Sequence, residues 1–242
     1  MHQFLLFAFF LEIIALGPKK PITVFMAGDS TMANKPLESP ERGWGQRFPL
    51  MFDETVRIDN RGANGRSTKT FILENRWQAI MDTIRPGDYV FIQFGHNDQA
   101  KDKPERYTPP DEYKANLIRF VRETRAKKAK PVLCTPVARR NFDAQGKVTN
   151  PHGVYPDLVK EVAAAYKVPM IDMFQKTKKL AESYGPEASK SLFLWVEPGK
   201  SAFFPDGRQD NTHYNELGAT KVAELAAEGI RELKLPLAKR LK

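Results

Sequence analysis

The sequence has almost no cysteine: Cys134 is the single one in 242 residues, so no internal disulfide forms and the fold must rest on its apolar core. Cys134 follows Pro131, Val132 and Leu133, a context that predicts a buried, inert thiol. Histidine is scarce as well, four residues scattered along the chain. With one thiol and no clustered imidazoles there is no metal-ligand pairing, and neither a metal nor another cofactor is expected. Internal repeats, low-complexity tracts and domain linkers are absent, so residues 18–242 are expected to form one domain.

Long apolar runs are lacking too. Residues 3–17 (QFLLFAFFLEIIALG) fall short of the roughly 20 residues that a bilayer span requires. Ala15 and Gly17 sit where a signal peptidase cuts, so residues 1–17 read as a secretory signal and the protein as secreted or periplasmic, with no stable membrane insertion after processing. His2 in place of a Lys or Arg, and Glu12 within the apolar stretch, keep open an N-terminal extension that stays on the chain. Acidic residues are outnumbered, 29 Asp and Glu against 38 Lys and Arg, for a net charge of +9. That balance points to an acidic partner or to a solvated basic surface. The interleaved aromatic and basic pattern of a nucleic-acid fold is missing, so no nucleic-acid partner is expected.

Five short runs rich in β-branched and aromatic residues are bounded by turn formers and predict strands at 21–27, 55–60, 88–94, 130–136 and 168–172. Between them, helical spacing of apolar residues predicts helices at 69–83, 111–128, 154–166 and 173–184, with a last one from about Asn215 to Leu233. Alternating strands and helices predict a parallel five-stranded sheet with helices on both faces, a three-layer α/β/α sandwich. VFIQF (90–94) has almost no polar alternation, as befits a central strand. Segments 33–45, 98–110, 139–153 and 195–212 are rich in Pro, Gly and charge and read as loops. The first two follow strands one and three and should rise from the carboxyl edge of the sheet, where such sheets bind ligands.

Four segments carry chemistry. Gly28-Asp29-Ser30-Thr31 puts a serine just past the first strand, either exposed at the sheet edge or capping a helix. A serine needs a base and an orienting group to become a nucleophile. Asp210-Asn211-Thr212-His213 offers both, a carboxylate three residues before an imidazole and just ahead of the final helix. The turn Asn60 to Ser67, containing Gly65, and Gly95-His96-Asn97-Asp98 after strand three supply backbone and side-chain amide donors. Each is also an ordinary turn sequence when taken alone.

In this order the four segments resemble the signature blocks of the SGNH (GDSL-like) hydrolases, over about residues 21–233. The resemblance implies a flavodoxin-like SGNH hydrolase fold with Ser30 as nucleophile, His213 as general base and Asp210 as the orienting acid. It implies an oxyanion hole made of the Ser30 and Gly65 N–H groups and the Asn97 side chain. Within that superfamily Gly65-Arg66-Ser67 with Lys69, Thr70 and Phe71, the run 87–98 and Asp210-Asn211-Thr212-His213 are similar to rhamnogalacturonan acetylesterases, which deacetylate pectin. The implied partner is an acetylated acidic polysaccharide or oligosaccharide.

Cationic residues in the predicted edge segments, Arg42, Arg66, Lys69, Arg139 and Arg140, are candidates to attract galacturonate carboxylates. Trp44, Trp195, Phe203 and Phe204 are candidates to stack on sugars, although Trp44 between Gly43 and Gly45 also fits a place beneath the serine turn. Arg66, Trp44, His96 and Arg139 are taken as the substrate-binding set. The competing readings are an esterase of other specificity (acetyl-xylan esterase, lysophospholipase or thioesterase) and a non-catalytic polyanion-binding module.

Overall fold

Strand pairing in the computed structural model, which describes residues 20–242, joins the five apolar runs in one parallel sheet. The strands are β1 (Ile22–Gly28), β2 (Val56–Asn60), β3 (Tyr89–Gln93), β4 (Lys130–Cys134) and β5 (Met170–Ile171), ordered β2-β1-β3-β4-β5. The helices are α1 (Trp44–Arg47), α2 (Thr68–Leu73), α3 (Arg76–Met81), α4 (Pro110–Ala126), α5 (Tyr155–Tyr166), α6 (Met173–Ala188) and α7 (Glu216–Glu232). Side chains alternate across the pleat and divide the core in two. Val24, Met26, Phe91 and Val132 face a cluster that holds Trp44 of α1 and Val222 and Ala226 of α7. Phe25, Ala27, Val90, Ile92 and Leu133 face the opposite cluster, with Phe71 of α2, Trp77 of α3, Phe120 of α4 and Val159 of α5. This is the expected three-layer sandwich. Every residue of β3 is buried, as its unbroken apolar run requires.

The chain order reverses between β1 and β3: β2 lies on one side of β1 and β3 on the other. The crevice outside the carboxyl ends of these two strands is therefore the topological switch point of the sheet, where open α/β sheets bind ligands. Ser30 follows β1 and the His96-Asn97-Asp98 segment follows β3, so both are delivered there.

Three elements differ from the sequence expectation. The helix at 69–83 is two helices, because Asn75 between them takes a left-handed conformation (φ 57°) that an α-helix does not continue through. The helix begun at 173 runs past 184 to Ala188, kinked at Gly185. The loop expected at 195–212 is a loop at 197–207, and its two ends belong to an antiparallel pair, β6 (Phe193–Val196) and β7 (Arg208–Tyr214). The run RQDNTHY has no apolar alternation, and it is a strand because FLWV supplies its backbone partners. The expected leader, residues 1–17, lies outside the described residues. Among the described residues no helix is long and apolar enough to cross a membrane.

Asp98 ties these layers together at the sheet edge. Its buried Oδ1 accepts from Thr68 N (2.8 Å) and Thr68 Oγ1 (2.6 Å) at the start of α2, and its carbonyl oxygen accepts from Tyr155 OH (3.1 Å) of α5. Burial pushes the carboxyl up from 3.8 to about 7, against the opposing hydrogen bonds from Thr68. Between those values the folded chain keeps a proton that the unfolded chain releases, so this group's contribution to stability falls as pH rises from about 4 to about 7. Urea unfolding at about pH 5 and about pH 8 should accordingly reveal a smaller loss of stability for Asp98→Asn than for the native chain. Identical losses in the two proteins would contradict a protonated Asp98.

Candidate active site

Ser30 sits on a turn fixed from below. Gly28 lets the strand end pass against its neighbours: a Cβ there would lie 2.6 Å from Met32 Sδ and 2.9 Å from the Gln93 carbonyl oxygen. Asp29 O accepts from Met32 N (3.2 Å) and Ala33 N (3.1 Å), and Asp29 Oδ1 accepts from Thr31 N (2.9 Å) and Thr31 Oγ1 (2.7 Å). Gln93 of β3 donates to Thr31 Oγ1 (2.9 Å) and accepts from Trp44 Nε1 (2.7 Å). Trp44 is wholly buried, its ring edge-on to Phe48. It therefore has no surface to offer a sugar, and its expected substrate contact is corrected to a support beneath the serine turn. The flanking glycines explain why: a Cβ on Gly43 would strike Ala33 O at 2.1 Å, so the backbone here packs directly against the serine turn.

His213 arrives on β7, which Tyr214 anchors from the inside. Tyr214 is buried and its carbonyl oxygen accepts from Arg42 N (2.9 Å). Beyond it, Asn215 caps α7 by accepting from Gly218 N (3.0 Å). Asp210 folds over its own strand: Oδ1 accepts from Thr212 N (2.8 Å) and His213 N (3.0 Å), while Oδ2 faces His213 Nδ1 at 2.9 Å. His213 Nε2 then meets Ser30 Oγ at 2.9 Å. Partial burial alone would raise the Asp210 carboxyl, but His213 and the two N–H groups hold it well below the ordinary carboxylate range. An ionised Asp210 keeps the proton on Nδ1 and leaves the Nε2 lone pair aimed at the serine hydroxyl.

Ser30, Gly65, Asn97, Asp210 and His213 line one cavity of about 410 Å³. Gly65 has φ 75°, a conformation suited to glycine. Among the described residues the N–H groups of Ser30 and Gly65 find no acceptor. Asn97 Nδ2 gives one hydrogen to Arg66 O (3.0 Å), and an amide nitrogen carries a second. The arrangement can thus take a proton from Ser30 and present amide donors to a developing oxyanion.

Among the remaining expected contacts, His96 and Arg139 lie on the cavity wall. Arg66 does not: Glu74 draws its Nε (3.0 Å) and Asn64 O its Nη1 (2.7 Å), and it lines an adjoining cavity with Asn64, Gly65 and Arg106. Arg42 donates to the carbonyl oxygens of Pro36, Leu37, Ser39 and Glu41 and pins the loop before α1. Arg140 binds Ser189 Oγ (3.1 Å) and Asn211 Oδ1 (2.9 Å) and stacks on Trp195. The cations that do reach the wall, Lys35, Lys103, Arg106 and Arg208, were missed, although the first three lie in the two segments assigned to the sheet's carboxyl edge. Asp29 was also given no role. Burial would raise its carboxyl, but His96, with Nδ1 at 3.2 Å from Oδ2, and the Thr31 donors bring it down to about 2.

The chain matches the model of the GDSL-like Lipase/Acylhydrolase family over residues 26–221. It is 49% identical over 220 residues to the rhamnogalacturonan acetylesterase RhgT of Bacillus subtilis (strain 168), covering 90% of this chain and 94% of that one. It is 39% identical over 215 residues to the probable rhamnogalacturonan acetylesterase YesY of the same organism, covering 88% and 94%. Among solved structures it is similar to the crystal structure of YxiM from Bacillus subtilis, with a TM-score of 0.78 and 28% identity. That likeness spans 90% of this chain but 58% of the other. With its signature segments gathered at the switch point of the sheet and the match running from the end of β1 into α7, the chain belongs to the GDSL-like lipase/acylhydrolase family.

Proposed function

We propose that the protein is a serine esterase that removes acetyl groups from an acidic polysaccharide, acetylated rhamnogalacturonan (pectin), and that Ser30, His213 and Asp210 carry the reaction. The observation behind this is the unbroken chain of contacts from Asp210 Oδ2 through the His213 ring to Ser30 Oγ, each link 2.9 Å, at the wall of an open cavity. The substrate reading draws on RhgT and YesY, whose names state rhamnogalacturonan acetylesterase activity, established or probable, and on a cavity wall rich in Lys and Arg.

In the first half-reaction Ser30 Oγ attacks the acetyl carbonyl carbon as His213 Nε2 takes its proton. The carbonyl oxygen becomes an oxyanion and is held by the Ser30 and Gly65 N–H groups and Asn97 Nδ2. Collapse breaks the bond to the sugar oxygen, His213 returns the proton to that oxygen, and acetyl-Ser30 remains. Water, deprotonated by His213, then attacks the acetyl carbon; the bond to Ser30 Oγ breaks, His213 returns the proton to Oγ, and acetate leaves. Asp210 stays ionised throughout, fixing the imidazole tautomer and stabilising the imidazolium. Most side chains lining the cavity are charged or polar, with Leu194 and Phe204 its large apolar members, and this supports a short acyl group over a fatty chain.

Export is part of the proposal, supported by the apolar stretch 3–17 with Ala15 and Gly17. Mass spectrometry of the exported protein should find a shortened N-terminus, whereas an intact Met1 there would oppose cleavage.

Acetate release should be fastest from acetylated rhamnogalacturonan, slower from acetylated xylan, and should fall along p-nitrophenyl esters of increasing acyl length. A preference for long acyl chains would overturn the substrate assignment. Ser30→Ala should abolish turnover, Asn97→Ala should lower kcat by about 10²–10³-fold, and Asp210→Asn by about 10⁴-fold through the wrong tautomer. Near-native hydrolysis by Ser30→Ala would overturn the mechanism.

A further inference from the structure

Behind the catalytic cavity lies a second and larger one, of about 710 Å³, opening between the segment after β3 and the start of α5. The two cavities share His96, Asn97, Lys103, Arg106 and Arg139 as a common wall. Among the described residues, three buried nitrogen atoms without a hydrogen-bond partner belong to that wall: His96 Nε2, Arg106 Nε and Arg139 Nε. Buried polar atoms are ordinarily paired, and unpaired ones concentrated at one place call for a ligand.

Among the described residues, neither guanidinium group is hydrogen-bonded to a carboxylate. Arg106 lies against the Gly65 turn, where a Cβ on Gly65 would come within 3.1 Å of its Nη1. Its nearest carboxylate oxygen, on the exposed Glu105, is 3.6 Å from Nε, beyond hydrogen-bond reach. Arg139 forms no side-chain hydrogen bond among the described residues. Burial disfavours its charge and the carboxylates of Asp29 and Asp210 support it from a distance. Lys103 adds a third cation to the same wall. Such a set of donors fits a planar anion, and a carboxylate matches the fork of a guanidinium. His96 completes the wall between the cavities, its Nδ1 facing Asp29 Oδ2 at 3.2 Å.

We propose that this shared wall is a carboxylate-binding subsite for a uronic acid unit adjoining the acetylated sugar, with Arg106 and Arg139 taking the carboxylate. The acetylated unit occupies the catalytic cavity and its acidic neighbour reaches into the second. This deepens the acetyl-pectin reading and rests on it for the identity of the neighbouring sugar. It makes the enzyme selective for the charge beside the ester as well as for the ester.

Titration calorimetry of the full chain with tetragalacturonate and with neutral tetragalactose tests the subsite without depending on turnover. Native protein should bind the acidic sugar at least about tenfold more tightly than the neutral one, a difference of about 1.4 kcal/mol. Arg106→Gln and Arg139→Gln should each shrink that ratio, and the double variant should bring it close to one. Arg139→Lys, which keeps the charge but loses the fork, should retain part of it and guards against a folding defect in the glutamine variants. Equal binding of the two sugars by native protein, or a ratio that survives the double substitution, would overturn the subsite. Selective binding without acetate release from any acetylated rhamnogalacturonan would instead sink the acetyl-pectin reading and leave the subsite standing.

Discussion

A single contact, 2.9 Å between His213 Nε2 and Ser30 Oγ, joins residues 183 positions apart, and the chemistry assigned to the site depends on it. Its length is set by two rigid supports that meet from opposite ends of the chain. The serine turn is braced by Gln93 and Trp44 through buried hydrogen bonds. The histidine is fixed by the loop of Asp210 over its own backbone and by Tyr214 and the Asn215 cap immediately after it. Functional groups held by their own local hydrogen bonds and by packed neighbours keep the geometry that proton transfer needs.

Two buried carboxylates near the same sheet edge illustrate how environment decides charge. Asp29 and Asp98 are both fully buried. Asp29 faces His96 and the Thr31 donors and is brought down to about 2, whereas at Asp98 burial outweighs the Thr68 donors and raises it to about 7. The first therefore places a fixed negative charge beneath the wall of the site. The second acts as a neutral tie between helices. The cavity itself is lined by five cations, Lys35, Lys103, Arg106, Arg139 and Arg208, against the carboxylates of Glu41 and Asp210, so its wall carries an excess of positive charge.

The parallel sheet was legible because its strands are short runs with β-branched or aromatic residues closed by turn formers, β3 the most apolar of them. The meeting of Ser30, His213 and Asp210 was legible because its members are local signatures: Ser30 at a strand end, and Asp210 three residues ahead of His213. What escaped detection depends on partners distant in the sequence. β7 looks like a polar loop until Phe193–Val196 pairs with it. Arg66 looks available until α2 brings Glu74 back beside it. Trp44 satisfies its indole N–H on Gln93, 49 residues away. Charge alone did not separate Arg42 and Arg140, which bind protein oxygens, from Arg106 and Arg139, whose Nε atoms remain unpaired at the cavity wall.

The most direct measurement of the central claim is covalent labelling with a fluorophosphonate, followed by peptide mass mapping of native and His213→Ala proteins. The account predicts a phosphonyl adduct on Ser30 in the native chain and labelling slowed by orders of magnitude when the imidazole is removed. An adduct on a different serine, or equally fast labelling of Ser30 without His213, would contradict it.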